Sequence, residues 1–193
     1  MAVAAPDYRL SPKATCEQAI ADAAQAVAYV LRNIETLGGD PTRVFVAGSG
    51  AGGYLAGLVV LDTSLLAQCG VKDAKLAGLV SINGTACTHP TVLKQRGGEF
   101  VGRIVADQLS PMHHIRRDAP PILLVTADRR LEKSELYESN AYMWRMLQVV
   151  RHRTSRLCEL QGYTCQDLDM SLPLVPRFVE EQCRKLAAAE DRK

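Results

Sequence analysis

Arg43-Val44-Phe45-Val46-Ala47-Gly48-Ser49-Gly50-Ala51-Gly52-Gly53-Tyr54-Leu55-Ala56 is the stretch on which the reading of this chain turns. Val44 to Ala47 is a short apolar run closed by a turn signal, the pattern of a buried strand. The glycines from 48 to 53 carry that strand into an apolar helix starting near Tyr54. A glycine-rich passage from strand to helix is a building unit of parallel α/β sheets.

Reading outward, strand-like and helix-like segments alternate from end to end, with no Ser-rich linker and no repeat. Ala2 to Tyr8, Leu76 to Ile82, Ile122 to Thr126 and Arg156 to Leu160 read as further strands. Ile20, Ala23, Val27, Val30, Leu31 and Ile34 recur at helical spacing until Gly38-Gly39, and this helix is expected to lay its apolar face on the sheet. Helices are also expected at about 134 to 150 and at 172 to 188, the latter carrying Val175, Phe178, Val179 and Leu186 on one face with Pro173 and Pro176 near its start. The expectation is one α/β domain over 1–193, a three-layer α/β/α arrangement with about five parallel strands in sequential order. Residues 83–118 read as an irregular, cap-like insertion holding His89, His113 and His114.

Composition narrows the function. Among 193 residues, 23 Lys and Arg against 21 Asp and Glu leave a net charge of +2, which gives no reason to invoke nucleic acid or an anionic membrane. Aromatics at 5% disfavour base stacking, and 47% hydrophobic residues suffice for a sizeable core. The longest apolar stretch, Tyr54 to Ala67, is interrupted by Asp62 and is too short to span a bilayer. Met1 to Pro6 lacks the basic and long apolar regions of a signal peptide, so a cytoplasmic location is expected. Cys16, Cys69, Cys87, Cys158, Cys165 and Cys183 form no C-x-x-C pair and no ligand set, and read as reduced, buried core thiols with no metal.

Two chemistries use such a turn. Gly48, Gly50 and Gly53 satisfy G-x-G-x-x-G, which cradles a pyrophosphate at a helix N-terminus. A dinucleotide site also needs an acid closing the second strand, where this sequence has Ile82-Asn83, with Asp73 lying ahead of the strand. The other chemistry is the nucleophile elbow, G-x-S-x-G, which lifts a serine above the sheet beside a helix N-terminus.

Asp7-Tyr8-Arg9-Leu10-Ser11-Pro12, Ala19-Ile20-Ala21-Asp22-Ala23, Gly38-Gly39-Asp40-Pro41 and Arg43 to Gly48 occur in the order found in the α/β-hydrolase esterases. Ala51-Gly52-Gly53-Tyr54-Leu55-Ala56, Ser110-Pro111 and Pro120 to Ala127 continue the match. The chain closely resembles that group over most of its length, nearest to the carboxylesterase, hormone-sensitive-lipase-like and kynurenine-formamidase-like families. The resemblance implies an α/β-hydrolase fold of esterase ancestry, with a small ester-like or hydrophobic ligand and no cofactor.

The same resemblance places the triad on residues that cannot perform it. The elbow Gly-His-Ser-Ala-Gly corresponds to Gly48-Ser49-Gly50-Ala51-Gly52, which puts Gly50 at the nucleophile. The acid position falls on Arg130, with Asp128 at the less critical acidic position before it. The histidine of a Gly-x-x-His context falls on Cys165, in Gly162-Tyr163-Thr164-Cys165. No His-Gly-Gly oxyanion motif is found upstream of Asp7-Tyr8-Arg9-Leu10, so the expectation is an N-terminally truncated hydrolase, catalytically impaired or inactive. Its unpaired Ala2–Tyr8 edge would then favour self-association or a partner chain.

Other readings stay open: an active hydrolase using Ser49 or Cys165, or a dinucleotide module on Gly48, Gly50 and Gly53. Ser49 reads more simply as a turn hydroxyl, Asp128 as a loop cap and Arg129 with Arg130 as a solvated pair. A Cys165 near a helix N-terminus could be an activated thiol, and His113 and His114 read as surface or cap residues.

Overall fold

The structure, a computed structural model, describes residues 1–97, 105–132 and 134–191. In chain order the elements are α1 (Cys16–Asn33), β1 (Phe45–Ser49), α2 (Ala51–Leu61), α3 (Thr63–Gln68), β2 (Gly78–Ile82), α4 (Pro90–Gln95), β3 (Ile122–Ala127), α5 (Ser134–Val149), β4 (Ser155–Leu160) and α6 (Leu174–Glu190). Single 3-10 turns occupy Pro41–Arg43, Pro111–His114 and Leu168–Met170. Of the 83–118 segment, α4 and the turn at Pro111–His114 are regular, and 98–104 lies outside the described residues.

The four strands form one parallel sheet in the order β1-β2-β3-β4, with Ala47 beside Val80, Ser81 beside Leu124 and Val125 beside Cys158. Sequential order with right-handed crossovers puts the connecting helices on one face. Accordingly Ala56 and Val60 of α2 and Met143 and Leu147 of α5 share a core with Leu79, Ile122 and Leu124. On the other face Phe178 of α6 packs with Val80, Ile82, Leu123 and Val125. β2 and β3 are buried at every residue, which explains why they read as unbroken apolar runs rather than alternating ones.

The expected fifth strand does not form, and the sheet has four strands. Residues 1–7 are exposed and belong to no element, with Met1 at 86% and Val3 at 81% exposure. A strand exists only against a neighbour that takes its backbone hydrogen bonds, and among the described residues no strand pairs with this segment. It is instead anchored to α1: Tyr8 packs with Ile20 and Tyr54, and the Arg9 backbone N–H and Nε donate to Asp22 at 3.0 and 2.8 Å.

α1 begins at a reciprocal cap in which the Thr15 hydroxyl accepts from Gln18 N–H and the Gln18 side chain accepts from Thr15 N–H. Its buried residues Ile20, Ala24 and Ala28 fall at four-residue spacing, but they meet α2 and α3 rather than the sheet. α2, lying between α1 and the sheet, is buried at every residue from Gly53 to Leu61. An all-round apolar helix needs such a double cover. The cysteine expectation also changes: no disulfide forms among the six, yet only Cys87 is buried, Cys165 is exposed and the others are half-buried. No helix among the described residues is long and apolar enough to cross a membrane.

α2 approaches the sheet closely because three glycines lack side chains. A Cβ on Gly48 would fall on the carbonyl of Gly52 and 2.7 Å from the Gly53 nitrogen, and one on Gly84 would stand 2.6 Å from the Gly53 carbonyl carbon. A Cβ on Gly53 would meet the Ser81 hydroxyl at 2.9 Å. Gly52 in the same helix has open space instead. Gly48→Ala is therefore expected to lower unfolding stability by about 1–3 kcal/mol, as overpacking does. Gly52→Ala is expected to be neutral or to stabilise by up to about 1 kcal/mol through helix propensity. Denaturant midpoints of the two variants check this, and equal midpoints would show that the close approach is not what the glycines provide.

Candidate functional site

The carboxyl ends of the parallel strands bring together Gly50 after β1, Asn83 after β2, Asp128 after β3 and Gly162 to Cys165 after β4. Ligands of open α/β sheets are bound at this end. Gly50 is the N-cap of α2 with φ +54° and ψ −120°. Its N–H donates to the Ile82 carbonyl at 2.8 Å, and its own carbonyl accepts from Tyr54 N–H at 3.1 Å. A Cβ here would meet nothing within 4 Å, so the position opens outward. The backbone keeps the sharp strand-to-helix turn, in a region L side chains rarely adopt, and presents no nucleophile.

Ser49 is exposed and ends β1. By strand alternation it shares a face with Phe45, which packs against Phe178, and is turned away from α2. The hydroxyl thus belongs to the α6 face, not to the crest of the turn.

Asp128 is the carboxylate this site retains. It is 2% exposed and accepts from the backbone N–H of Arg130 and of Gly162, each at 2.8 Å. Its own N–H donates to the Tyr163 carbonyl at 2.9 Å, and its carbonyl takes the N–H groups of Leu131 and Glu132 at 3.0 and 3.1 Å. It therefore caps the loop after β3 and ties that loop to the one after β4. The amide of Arg130, then that of Gly162, holds its carboxyl at about 2. Arg130, at the acid position by resemblance, has a side chain 80% exposed whose Nη2 is 3.4 Å from Asp128. Arg129 is exposed but paired: its Nε and Nη2 donate to Glu159 at 2.8 and 2.5 Å, and its guanidinium lies 3.8 Å over the Tyr137 ring.

Cys165 lies in the turn after β4, and its backbone N–H donates to the Glu132 carboxylate. The turn is closed by Asp167, which accepts from Thr164 N–H at 2.7 Å and its hydroxyl at 2.9 Å. The expected helix N-terminus is not there: the next element is the three-residue 3-10 turn at Leu168–Met170, and α6 starts only at Leu174.

His113 and His114 are removed from this end. His114 Nε2 is 2.8 Å from the Gln108 carbonyl and 3.8 Å from Asp62, the C-cap of α2. The 11 residues of α2 lie between that cap and Gly50, which separates the two by about 18 Å along the helix. His89 caps α4, its Nδ1 accepting from Thr91 N–H at 3.2 Å. His152 sits at the amino ends of the strands, with Nε2 2.9 Å from the Ala119 carbonyl.

One residue that sequence reasoning passed over is Asn83. With φ +50°, it turns its side-chain oxygen onto Ala127 N–H at 2.8 Å while its own N–H meets the Val125 carbonyl at 2.8 Å, locking the ends of β2 and β3. An Asn directly after an apolar strand and before a glycine was the available signal. The same residue occupies the place of the ribose-binding acid. Gly48 and Gly53 are filled by backbone and Ser81, leaving only Gly50 and Gly52 of the turn open to a ligand. A cavity of about 10 Å³ under α2, lined by Gly53, Ser81, Thr85 and Asn140, has room for little more than a water. Among the described residues no group of three or more His, Cys, Asp and Glu could hold a metal ion.

Residues 1–101 match the family described as alpha/beta hydrolase fold. Isoprenylcysteine alpha-carbonyl methylesterase ICME of Arabidopsis thaliana is 38% identical over 60 residues, 31% of this chain and 14% of that protein. Esterase LipC of Mycobacterium tuberculosis is 29% identical over 140 residues, 64% of this chain and 35% of that protein. The chain thus spans about a third or less of the length of these curated relatives. Among solved structures, Thermogutta terrifontis esterase 2 phosphoramylated by tabun superposes with a TM-score of 0.72 at 21% identity, over 91% of this chain and 69% of that one. Its butyrate-bound form gives 0.72 at 19% identity over 91% and 70%.

The Asp128 tie has a pH signature. Its folded-state pKa of about 2 lies below the ordinary 3.8, so the tie is complete above pH 4 and is lost as pH falls through 2. The amide resonances of Gly162 and Arg130 should titrate with a midpoint near 2, and in Asp128→Asn that titration should vanish. A midpoint near 4 would show that the carboxylate is not held by these amides.

Proposed function

Because the chain belongs to the alpha/beta hydrolase fold family, we propose that it is an esterase-derived domain whose elbow binds a small ester-like or hydrophobic ligand without hydrolysing it. The observation that carries this reading is Gly50. The elbow turn is intact, with φ +54°, and the place where a nucleophile would project is open space. At the end of β4 a thiol, Cys165, stands where the resemblance puts the imidazole, and no histidine among the described residues replaces it at that strand end. Asp128 survives as the carboxylate, but its oxygens are engaged by two amides. Triad members act as a unit, so a site lacking both nucleophile and base is expected to be slower by about 10⁴ or more.

Binding is supported by what remains around the turn. No side chain caps the N-terminus of α2, which leaves its dipole and amides available to a carbonyl or carboxylate oxygen. The loops after β3 and β4 expose Leu131, Tyr163, Met170 and Leu172, at 55%, 37%, 43% and 49%, an apolar rim for an acyl or alkyl group. The relatives are named as a methylesterase and an esterase, which makes an ester or its acid product the class of ligand this reading favours.

Short p-nitrophenyl esters should not be turned over above a heat-denatured control, and a fluorophosphonate probe should not label the chain. Butyrate or a short ester should shift the amide resonances of Gly50 to Gly52 and of Tyr163. Turnover well above the control would sink the proposal, and Ser49→Ala together with Cys165→Ser would then identify the nucleophile. Gly50→Ser should restore no ordinary esterase rate and should lower stability by about 1–3 kcal/mol, because serine must adopt a positive φ there.

A further inference from the structure

A second concave surface lies at the opposite ends of the strands from the elbow. A cleft of about 560 Å³ opens where the loop leading into β3 meets the connection from α5 to β4, and its size is that of a small-molecule site. All of its lining comes from 117–121 and 152–154, so neither β1 nor either end of the chain forms part of it. The run of β3 from Pro121 to Asp128 puts the cleft about 23 Å from the candidate site.

The walls are pinned to each other and to the sheet. His152 Nε2 lies 2.9 Å from the Ala119 carbonyl and 3.1 Å from that of Pro120. Both partners only accept, so Nε2 carries the proton and the ring joins one wall to the other. Ile122 N–H donates to the Thr154 carbonyl at 2.9 Å, and the Pro121 carbonyl accepts from Leu79 N–H at 2.8 Å.

The charges of the cleft do not balance. Its single carboxylate, Asp118, is paired with Arg116 at 3.1 Å, and Arg116 also donates to the Val60 and Leu61 carbonyls at the end of α2. Arg117 on one wall and Arg153 on the other are exposed, and their guanidinium groups have no partner among the described residues. Arg151, likewise exposed, adds a third cation to the same connection. Basic residues after a helix commonly offset its dipole and cap its last carbonyls. Here the backbone does that capping: the N–H groups of Val150, Arg151 and His152 take the carbonyls of Met146, Gln148 and Leu147. Arg151 holds the turn at φ +58°, so a cation stands where the helix end favours glycine.

We propose that this cleft binds a small sugar-type phosphate monoester, its phosphate held between Arg117 and Arg153. Such a phosphate is close to a dianion at neutral pH and matches two guanidinium forks. The volume exceeds what a bare phosphate fills, and the remaining lining, apolar at Ala119 and Pro121 with a hydroxyl at Thr154, accommodates a carbon skeleton bearing hydroxyls. No Phe, Tyr or Trp lines the cleft among the described residues, so a nucleobase has nothing to stack on. This inference is independent of what the elbow binds.

Ribose 5-phosphate titrated into the 193-residue protein should give saturable shifts of the Ala119, Arg153 and Thr154 amide resonances and none at Gly50 to Gly52. Inorganic phosphate should shift the same resonances with about tenfold weaker affinity. Arg117→Gln and Arg153→Gln should each weaken ribose 5-phosphate by about tenfold, whereas Arg184→Gln, which removes the same charge from α6 outside the cleft, should change it by less than about twofold. No saturation by about 10 mM ribose 5-phosphate, an equal loss in all three variants, or equal affinity for inorganic phosphate would each overturn the proposal. Binding to phosphatidate vesicles without binding to ribose 5-phosphate would also overturn it, by assigning the phosphate to a lipid headgroup. Should an arginine variant fail to fold, the pattern of shifts in the unaltered protein decides alone.

Discussion

The near-contact of α2 with the ends of β1 and β2 is the constraint on which the rest of this structure depends. Gly48, Gly53 and Gly84 each stand where a Cβ would strike backbone or the Ser81 hydroxyl. With those side chains absent, the strand can reverse into the helix within a single residue, Gly50, and α2 can run down the sheet as a helix buried all round. That burial in turn requires α1 on the outer side, and the small residues Ala24 and Ala28 let α1 settle against Val59 and Leu66. The layers thus nest outward from one glycine-lined junction.

The candidate site inherits the same geometry. Parallel pairing in sequential order delivers the ends of β1, β3 and β4 to one rim, so residues far apart in sequence meet there without any special device. What the rim can do depends on the side chains delivered to it. A carboxylate arrives, as Asp128, and is used to bind two loops together through the amides of Arg130 and Gly162. The Arg129–Glu159 pair, stacked on Tyr137, stiffens the same corner.

Legibility from sequence differed by element for a physical reason. β2, β3, α5 and α6 were readable because their patterns record burial that the local sequence must satisfy. The segment Ala2 to Tyr8 has the composition of a strand but not its surroundings, since composition does not specify whether a neighbour exists to receive its hydrogen bonds. The apolar face of α1 was legible, but its target was not: a 3.6-residue stripe states that something is covered, not whether that is a sheet or another helix. The cysteines were read from their average tendency to be buried, which fixed no individual position and held only for Cys87.

By itself the sequence determined the class of fold and the glycine turn, because turn chemistry and apolar periodicity are local properties of the chain. Only the tertiary structure decided that the Asp128 carboxylate ties the loop after β3 to the loop after β4, and that Asn83 locks β2 to β3. Each of these is a hydrogen-bond assignment between residues distant in sequence: 34 positions from Asp128 to Gly162 and 44 from Asn83 to Ala127. Such partners are set by strand order and register, which exist only once the chain has closed on itself.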